Sequence, residues 1–175
     1  MRYCLALILF ALSSCCCHVE RKDLVLAKQI RLANNERLKK EGFFVLNEGS
    51  FCPNTIHAIK GSYVTKNYRF TTTEQAEAFL DKFVADYLQP FNANTKIRPY
   101  LQNYPLTARN LVLNILFIDE HGHPLERPYI ANIRLIKGEV FYDIYDREKD
   151  KFITINNETV HPNTFTKSNN LNGKN

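Results

Sequence analysis

The stretch "NIRLIKGEVFYDIYDREKDKFITIN" (residues 132–156) decides the fold, because it contains two hairpins whose strand registers follow from their turns. The first turn is Lys137-Gly138, and a two-residue turn fixes which residues of the flanking strands lie opposite one another. Placing Ile136 opposite Glu139 brings apolar residues together on one face of the sheet: Leu135 with Val140, Ile133 with Tyr142 and Ala131 with Ile144.

The second turn selects the same face independently. Placing Arg147 opposite Asp150 pairs further apolar residues: Ile144 with Ile153 and Tyr142 with Ile155. Because the two registers agree, the sequence predicts a β-meander. Its strands are expected at residues 111–118, 129–136, 139–145 and 151–156.

A helix is predicted in "RFTTTEQAEAFLDKFVADYLQP" (69–90). Thr72 and Gln75 have the spacing of a capping box, as do Thr71 and Glu74, and Pro90 is expected to end the helix. Apolar residues recur at steps of three and four: Ala76, Phe79, Leu80, Phe83, Val84, Tyr87 and Leu88. We therefore expect a helix over residues 73–89 that covers the apolar face of the meander.

The mature chain is expected to open with another helix. Asp23 is a candidate N-cap, Lys39 and Lys40 suit a helix C-terminus, and Gly42 suits the position just beyond it. The apolar residues form only a partial stripe, which predicts a loosely packed helix or a stalk: Leu24, Ala27, Ile30 and Leu38.

The expected fold class is α+β: an amphipathic helix packed on a curved antiparallel β-meander, with an additional N-terminal helix. Residues 42–49 and 55–70 are rich in β-branched and aromatic residues and predict further strands.

The other face of the predicted sheet mixes aromatic and charged side chains. The same registers place there Asn132, Arg134, Phe141, Asp143, Tyr145 and Phe152, together with Thr154 and Asn114. A solvated face does not need these aromatic residues, and a dry core does not accept Arg134 and Asp143 unpaired. Two interpretations stay open: a surface that binds a partner or ligand, or a face covered by the N-terminal helix or by the strands before Cys52, with Arg134 and Asp143 as a satisfied pair.

The N-terminus has the pattern of an export signal. Arg2 precedes the apolar run "LALILFALSS" (5–14), whose length suits the h-region of a signal peptide. The run is too short to span a bilayer as a helix.

The order Leu12-Ser13-Ser14-Cys15 resembles the lipobox of bacterial lipoproteins. That resemblance implies that diacylglycerol is attached to the thiol of Cys15, that residues 1–14 are removed, and that membrane lipid holds the acylated chain. Cys16 stands where an Asp would favour retention in the inner membrane of a Gram-negative cell envelope, so the resemblance favours the outer membrane. Cys16 and Cys17 remain candidates for further acylation or for disulfides.

The chain therefore divides into four parts. The resemblance implies that residues 1–14 are a lipoprotein signal peptide and that residues 15–42 are the lipid anchor and N-terminal helix. Residues 43–160 are a single α+β domain. Residues 161–175 are polar, rich in Asn and without periodicity, which predicts a disordered tail.

Few residues of the domain suggest a catalytic, metal-binding or nucleic-acid-binding site. The formal net charge of +5 comes from scattered cations with acids between them, which disfavours nucleic-acid binding and is compatible with attraction to an anionic membrane. The motif "DEHGHP" (119–124) reads as a hairpin connection rather than a metal site, and Cys52 as a small buried residue. No cofactor is expected.

The predicted function is that of a non-enzymatic cell-envelope lipoprotein, anchored through Cys15, whose domain binds an envelope protein or a small ligand. One alternative is an envelope hydrolase that uses Asp143 and Glu139, or the two histidines of the "DEHGHP" connection. Another is a secreted, unlipidated protein.

Overall fold

A computed structural model describes residues 21–51 and 55–159 of the chain. The predictions made for the export signal, for Cys15 to Cys17, for Cys52 and for the polar tail lie outside the described residues. The elements, in chain order, are α1 (Lys22–Lys40), β1 (Phe43–Phe51), β2 (Ala58–Thr65), α2 (Thr73–Ala93), β3 (Leu111–Phe117), β4 (Asn132–Ile136), β5 (Glu139–Asp146) and β6 (Lys151–Thr159).

The fold class is α+β, as predicted, with both helices and a six-stranded sheet in the order β1-β2-β3-β4-β5-β6. Neighbouring strands are antiparallel except for β2 and β3, which are parallel. The predicted antiparallel meander, β3 to β6, is confirmed. The strands β2 and β3 are parallel because α2 returns the chain to the end of the sheet at which β2 begins.

The hairpin of β4 and β5 has the predicted register, with Ile133 opposite Tyr142 and Leu135 opposite Val140. Both turn residues have positive φ, 54° for Lys137 and 91° for Gly138, as the tightest hairpin turns require.

The hairpin of β5 and β6 matches the prediction only near its turn. Ile144 lies opposite Ile153, as predicted, but a bulge between Tyr142 and Asp143 shifts the rest of the strand. Tyr142 therefore lies opposite Asn156, and its predicted pairing with Ile155 is wrong. A bulge inserts one unpaired residue, and nothing in the turn sequence specifies where it occurs.

Helix α2 covers the apolar face of the sheet through aromatic contacts. The ring of Tyr63 in β2 lies 5.7 Å from the ring of Phe83 and 6.1 Å from that of Tyr87. Phe79 contacts Phe117 of β3 at 5.9 Å between ring centroids. This inner face of the sheet forms the core, as the amphipathic pattern predicts.

The ends of α2 agree with the prediction at one terminus only. The hydroxyl of Thr72 accepts a hydrogen bond from the backbone N–H of Gln75, so Thr72 is the N-cap. The helix continues through Pro90 to Ala93, so the predicted end at residue 89 is wrong. Proline removes one helical hydrogen bond, and the complete burial of Phe91 stabilises the last turn against that loss.

Helix α1 begins one residue before Asp23, so the predicted N-cap is wrong. Arg21 occupies that position, and its Nε donates to the Asp23 carboxylate at 3.1 Å. The Asp23 carboxylate lies in the first turn, where its negative charge interacts favourably with the positive end of the helix dipole.

Helix α1 packs beside α2 on the inner face. The predicted positions Ala27, Ile30 and Leu38 are buried, and Asn34 fills the gap in their stripe at 2% exposure. Its Nδ2 donates to the backbone oxygen of Tyr87 at 2.9 Å, which satisfies the polar group within the helix contact. The described helix is therefore packed against the domain and is not a stalk.

Polar contacts also fix α1 along β1. Arg31 donates to the hydroxyl of Ser50 at 3.0 Å, and Asn35 donates to the carboxylate of Glu48 at 2.5 Å. Neither α1 nor α2 is long and apolar enough to cross a membrane, and the described part of the chain has no other helix that is.

Candidate functional site

The outer face of the sheet, opposite the two helices, carries the six predicted residues: Asn132, Arg134, Phe141, Asp143, Tyr145 and Phe152. Alternation along β4, β5 and β6 places them there, with Asn132 opposite Asp143, Arg134 opposite Phe141 and Tyr145 opposite Phe152. Because α1 lies on the inner face, the interpretation that the N-terminal helix covers this surface is wrong.

The carboxylate of Asp143 is the centre of a polar cluster and accepts four hydrogen bonds. Its Oδ2 accepts from Arg134 Nε at 2.7 Å and from Asn132 Nδ2 at 3.0 Å. Its Oδ1 accepts from an Arg134 terminal nitrogen at 2.9 Å and from the Thr154 hydroxyl at 2.7 Å. Arg134 and Asp143 therefore form a satisfied bidentate pair within a rigid cluster that spans three strands.

This cluster keeps Asp143 ionised. Burial raises the pKa of its carboxyl, but the hydrogen bonds from Arg134 and Thr154 and the charge of Arg134 outweigh burial and lower the pKa below the ordinary value of 3.8. A buried carboxylate with four donors has neither the raised pKa of a general acid nor a free lone pair for a general base.

Aromatic side chains flank the cluster on both sides. The Arg134 guanidinium lies 5.0 Å from the centroid of the Phe141 ring, and the rings of Tyr145 and Phe152 lie 5.3 Å apart. Phe152 is 44% exposed, and the hydroxyl of Tyr145 is hydrogen bonded to Asp150. The outer face thus presents aromatic surface beside a neutralised ion pair.

A polar row extends the outer face beyond the predicted residues. The row takes one residue from each of the strands β1 to β4, and each residue lies opposite the next: Asn47, Ser62, Asn114 and Arg134. Asn114 was placed on this face by the sequence, whereas Asn47 and Ser62 were not.

A shallow groove of about 160 Å³ lies over the first three strands at this row. It opens where Gly49 carries no side chain, and Lys60 and Val112 also line it. A Cβ added at Gly49 would have no atom within 4 Å, so this position is open space on the sheet surface.

The adjacent row is apolar at the same edge of the sheet. Phe44 lies opposite Val64, and Val64 opposite Leu116. Phe44 is 58% exposed, and Leu46, at the bulge of β1, is 63% exposed. Sequence reasoning missed these residues because the registers of β1, β2 and β3 depend on tertiary pairing and not on short turns. Residues 43 to 46 are continuously apolar, so the start of β1 shows no alternation that would assign them to a face.

The "DEHGHP" connection forms the predicted turn. Asp119 Oδ1 accepts from the backbone N–H groups of His121 at 2.8 Å and of His123 at 2.9 Å, and Gly122 has φ of 87°. Within residues 21–51 and 55–159, no three His, Cys, Asp or Glu side chains are grouped so as to hold a metal ion.

Comparison with protein families, with curated proteins and with solved structures found no match to this chain.

Proposed function

We propose that this protein is a cell-envelope lipoprotein, acylated at Cys15 and held preferentially at the outer membrane, whose domain binds an envelope protein through the outer face of the sheet. The role is non-enzymatic. Leu12-Ser13-Ser14-Cys15 after a short apolar run supports the anchor. The outer face, on which neither described helix lies, supports the binding role.

The observation that carries the binding role is the exposure of large apolar side chains on the outer face of the sheet. Phe44 is 58% exposed at one side of the outer face, and Phe152 is 44% exposed at the other. Protein interfaces are enriched in aromatic residues and Arg at their centre and have a polar rim. Arg134, held by Asp143, lies between these two aromatic residues with its geometry already fixed.

The size of the groove favours a protein over a small molecule. Sites for small molecules commonly enclose about 300–1,000 Å³, whereas the groove over β1 to β3 measures about 160 Å³ and is open to solvent. A groove of that size suits one side chain of a partner, with Asn47, Ser62 and Asn114 as hydrogen-bonding groups around it.

The hydrolase alternative lacks comparable support, because all four hydrogen bonds to Asp143 come from protein donors. The alternative of a secreted, unlipidated protein differs in its N-terminus, and the chemical state of Cys15 distinguishes it from the lipoprotein.

A crosslinking experiment with matched positions tests the binding face. A photoreactive amino acid replaces Phe44 on the outer face in the full-length protein in cells, and Leu32 on α1, which is 50% exposed, serves as the control. We expect a discrete adduct from position 44 and none from position 32. Adducts of equal yield from both, or from position 32 alone, contradict the proposal.

A further inference from the structure

We call the end of the sheet that lies nearest to the start of α1 the proximal end. The strands end or begin there at Phe51, Ala58, Leu111, Ile136 and Glu139. The bridge between Ile56 and Leu101 and the hydrogen bond from Asn110 Nδ2 to the His57 oxygen at 3.0 Å hold the connection from α2 to β3 at the same end. The opposite, distal end holds the turns after β2, β3 and β5.

Helix α1 points its N-terminus toward the proximal end. Asn35 contacts Glu48, and Arg31, one turn earlier in the helix, contacts Ser50 near the last residue of β1. The residues of α1 before Arg31 therefore extend past the ends of the strands, by about 1.5 Å for each residue. The described chain begins at this end, at Arg21.

The position of Cys15 in the sequence limits how far this end can lie from the lipid. Five residues separate Cys15 from Arg21, and a fully extended chain of that length spans about 20 Å. An acylated Cys15 therefore keeps the proximal end near the membrane.

The proximal end is cationic. Among the described side chains, its exposed charged groups include five cations, Lys22, Lys96, Arg98, Arg109 and Lys137, and one carboxylate, Glu139. Arg21 is neutralised by Asp23. No salt bridge joins any of the five cations to a carboxylate within the part of the chain that the structure describes.

The distal end differs in its charge pattern, because many acids lie among its cations, although some of its exposed lysines, such as Lys40 and Lys66, form no salt bridge with a described residue. Arg147 contacts Glu126 at 2.8 Å, and Lys149 contacts Asp146 at 2.8 Å. The end from which the chain leads to Cys15 is thus the end whose exposed cations are accompanied by fewer acids.

An exposed aromatic residue accompanies these cations. The Tyr104 side chain is 46% exposed, and the Arg98 guanidinium lies 4.2 Å from its ring centroid and donates to its hydroxyl at 2.7 Å. Tyrosine favours the headgroup level of a bilayer, where the ring meets apolar surface and the hydroxyl stays hydrated.

From the charge and the point of chain entry together, we propose that the proximal end is a docking surface for anionic phospholipid headgroups. This proposal rests on the anchor at Cys15 and adds an orientation to it. With the proximal end on the bilayer, the strands extend away from the membrane. The outer face of the sheet is then accessible to a partner protein.

Lysine labelling of the full-length, membrane-extracted protein tests this orientation. The protein is reconstituted into vesicles of phosphatidylcholine alone or of phosphatidylcholine mixed with phosphatidylglycerol, and a water-soluble amine reagent is applied. Lys96 and Lys137 report on the proximal end, and the exposed Lys40 and Lys66 report on the distal end. Labelling rates are read for each lysine by mass spectrometry.

We expect Lys96 and Lys137 to label several-fold more slowly in the anionic vesicles, with Lys40 and Lys66 unchanged and with the protection lost at high salt. The charge-reversed variant Lys96→Glu/Lys137→Glu should lose the protection of Lys22, whereas Lys40→Glu/Lys66→Glu, with the same change of charge, should retain it. Equal labelling in both vesicles, or protection of Lys40 and Lys66, overturns the proposal.

Flotation with the phosphatidylcholine vesicles measures the anchor separately. Protein that floats but shows no protected lysines keeps the anchor and overturns the docking surface. Protein that does not float with these neutral vesicles overturns the anchor, and the orientation that depends on it.

Discussion

Arg134 and Asp143 face each other diagonally across β4 and β5 and share two hydrogen bonds, from Nε at 2.7 Å and from a terminal nitrogen at 2.9 Å. Asp143 is almost fully buried, whereas about a third of the Arg134 side chain remains exposed. The pair therefore fixes the plane of the Arg134 guanidinium at the surface, and the buried Asp143 carboxylate balances the guanidinium charge. This arrangement combines a role in stability with the presentation of Arg134 on the outer face.

Replacing Asp143 should destabilise the domain. In Asp143→Ala, the donors on Arg134, Asn132 and Thr154 lose their acceptor, and the expected loss is about 1–3 kcal/mol of unfolding free energy. Urea unfolding followed by circular dichroism measures it. Asp86→Ala is the control, because it removes a surface pair with Lys82 worth about 0.2–0.5 kcal/mol. Equal losses in the two variants would show that the Asp143 cluster adds no stability.

The contribution of Asp143 should also depend on pH. Its carboxyl has a lowered pKa in the folded protein, because hydrogen bonds from Arg134 and Thr154 outweigh the opposing effect of burial. A lowered pKa stabilises the folded state above the unfolded value of 3.8, and that stabilisation is lost as the pH falls through the folded value. The gap in unfolding free energy between wild type and Asp143→Asn should therefore narrow below pH 3.8. A gap that stays constant from neutral to acidic pH would contradict this assignment.

The outer face was predictable where short turns fix the register. Lys137-Gly138 sufficed to place Arg134 opposite Phe141, and the turn before Lys151 placed Tyr145 opposite Phe152. The bulge beyond Asp143, the parallel pairing of β2 with β3 and the groove near Gly49 depend on contacts between distant segments, which no local pattern specifies.

The helices show the same division between local and tertiary signals. The capping residue Thr72 was one of the two candidates that the sequence offered, because its hydrogen bond to Gln75 is local. The continuation of α2 through Pro90 was not predicted, because it depends on the burial of Phe91 in the core. Asn34 was missed as a packing residue for a similar reason, since its partner at Tyr87 is remote in sequence.

Two glycines in neighbouring strands should respond oppositely to alanine. A Cβ at Gly61 would lie 2.6 Å from Cε2 and 2.7 Å from the hydroxyl oxygen of Tyr63, a fully buried ring. Gly61→Ala should therefore cost about 1–3 kcal/mol through overpacking. Gly49→Ala meets open space and should be neutral or stabilise by about 0.5–1 kcal/mol. Thermal unfolding of both variants tests the packing, and a tolerated Gly61→Ala would contradict it.

Helix α1 should unfold together with the sheet. Asn34→Ala removes a buried hydrogen bond to α2 and should lower the unfolding free energy by about 1 kcal/mol. Gln29→Ala, at an exposed position of the same helix, should have almost no effect. If Asn34→Ala behaves like Gln29→Ala, the helix is not coupled to the domain.

The most direct test of the whole account is the chemical state of Cys15. Cells are labelled with a fatty-acid analogue, and the protein from their membranes is analysed by mass spectrometry of its N-terminal peptide. We predict a mature chain that begins at a lipidated Cys15, with both the label and processing lost in Cys15→Ala and retained in Cys16→Ala and Cys17→Ala. Normal processing and labelling of Cys15→Ala, or a wild-type chain without lipid, would contradict the anchor.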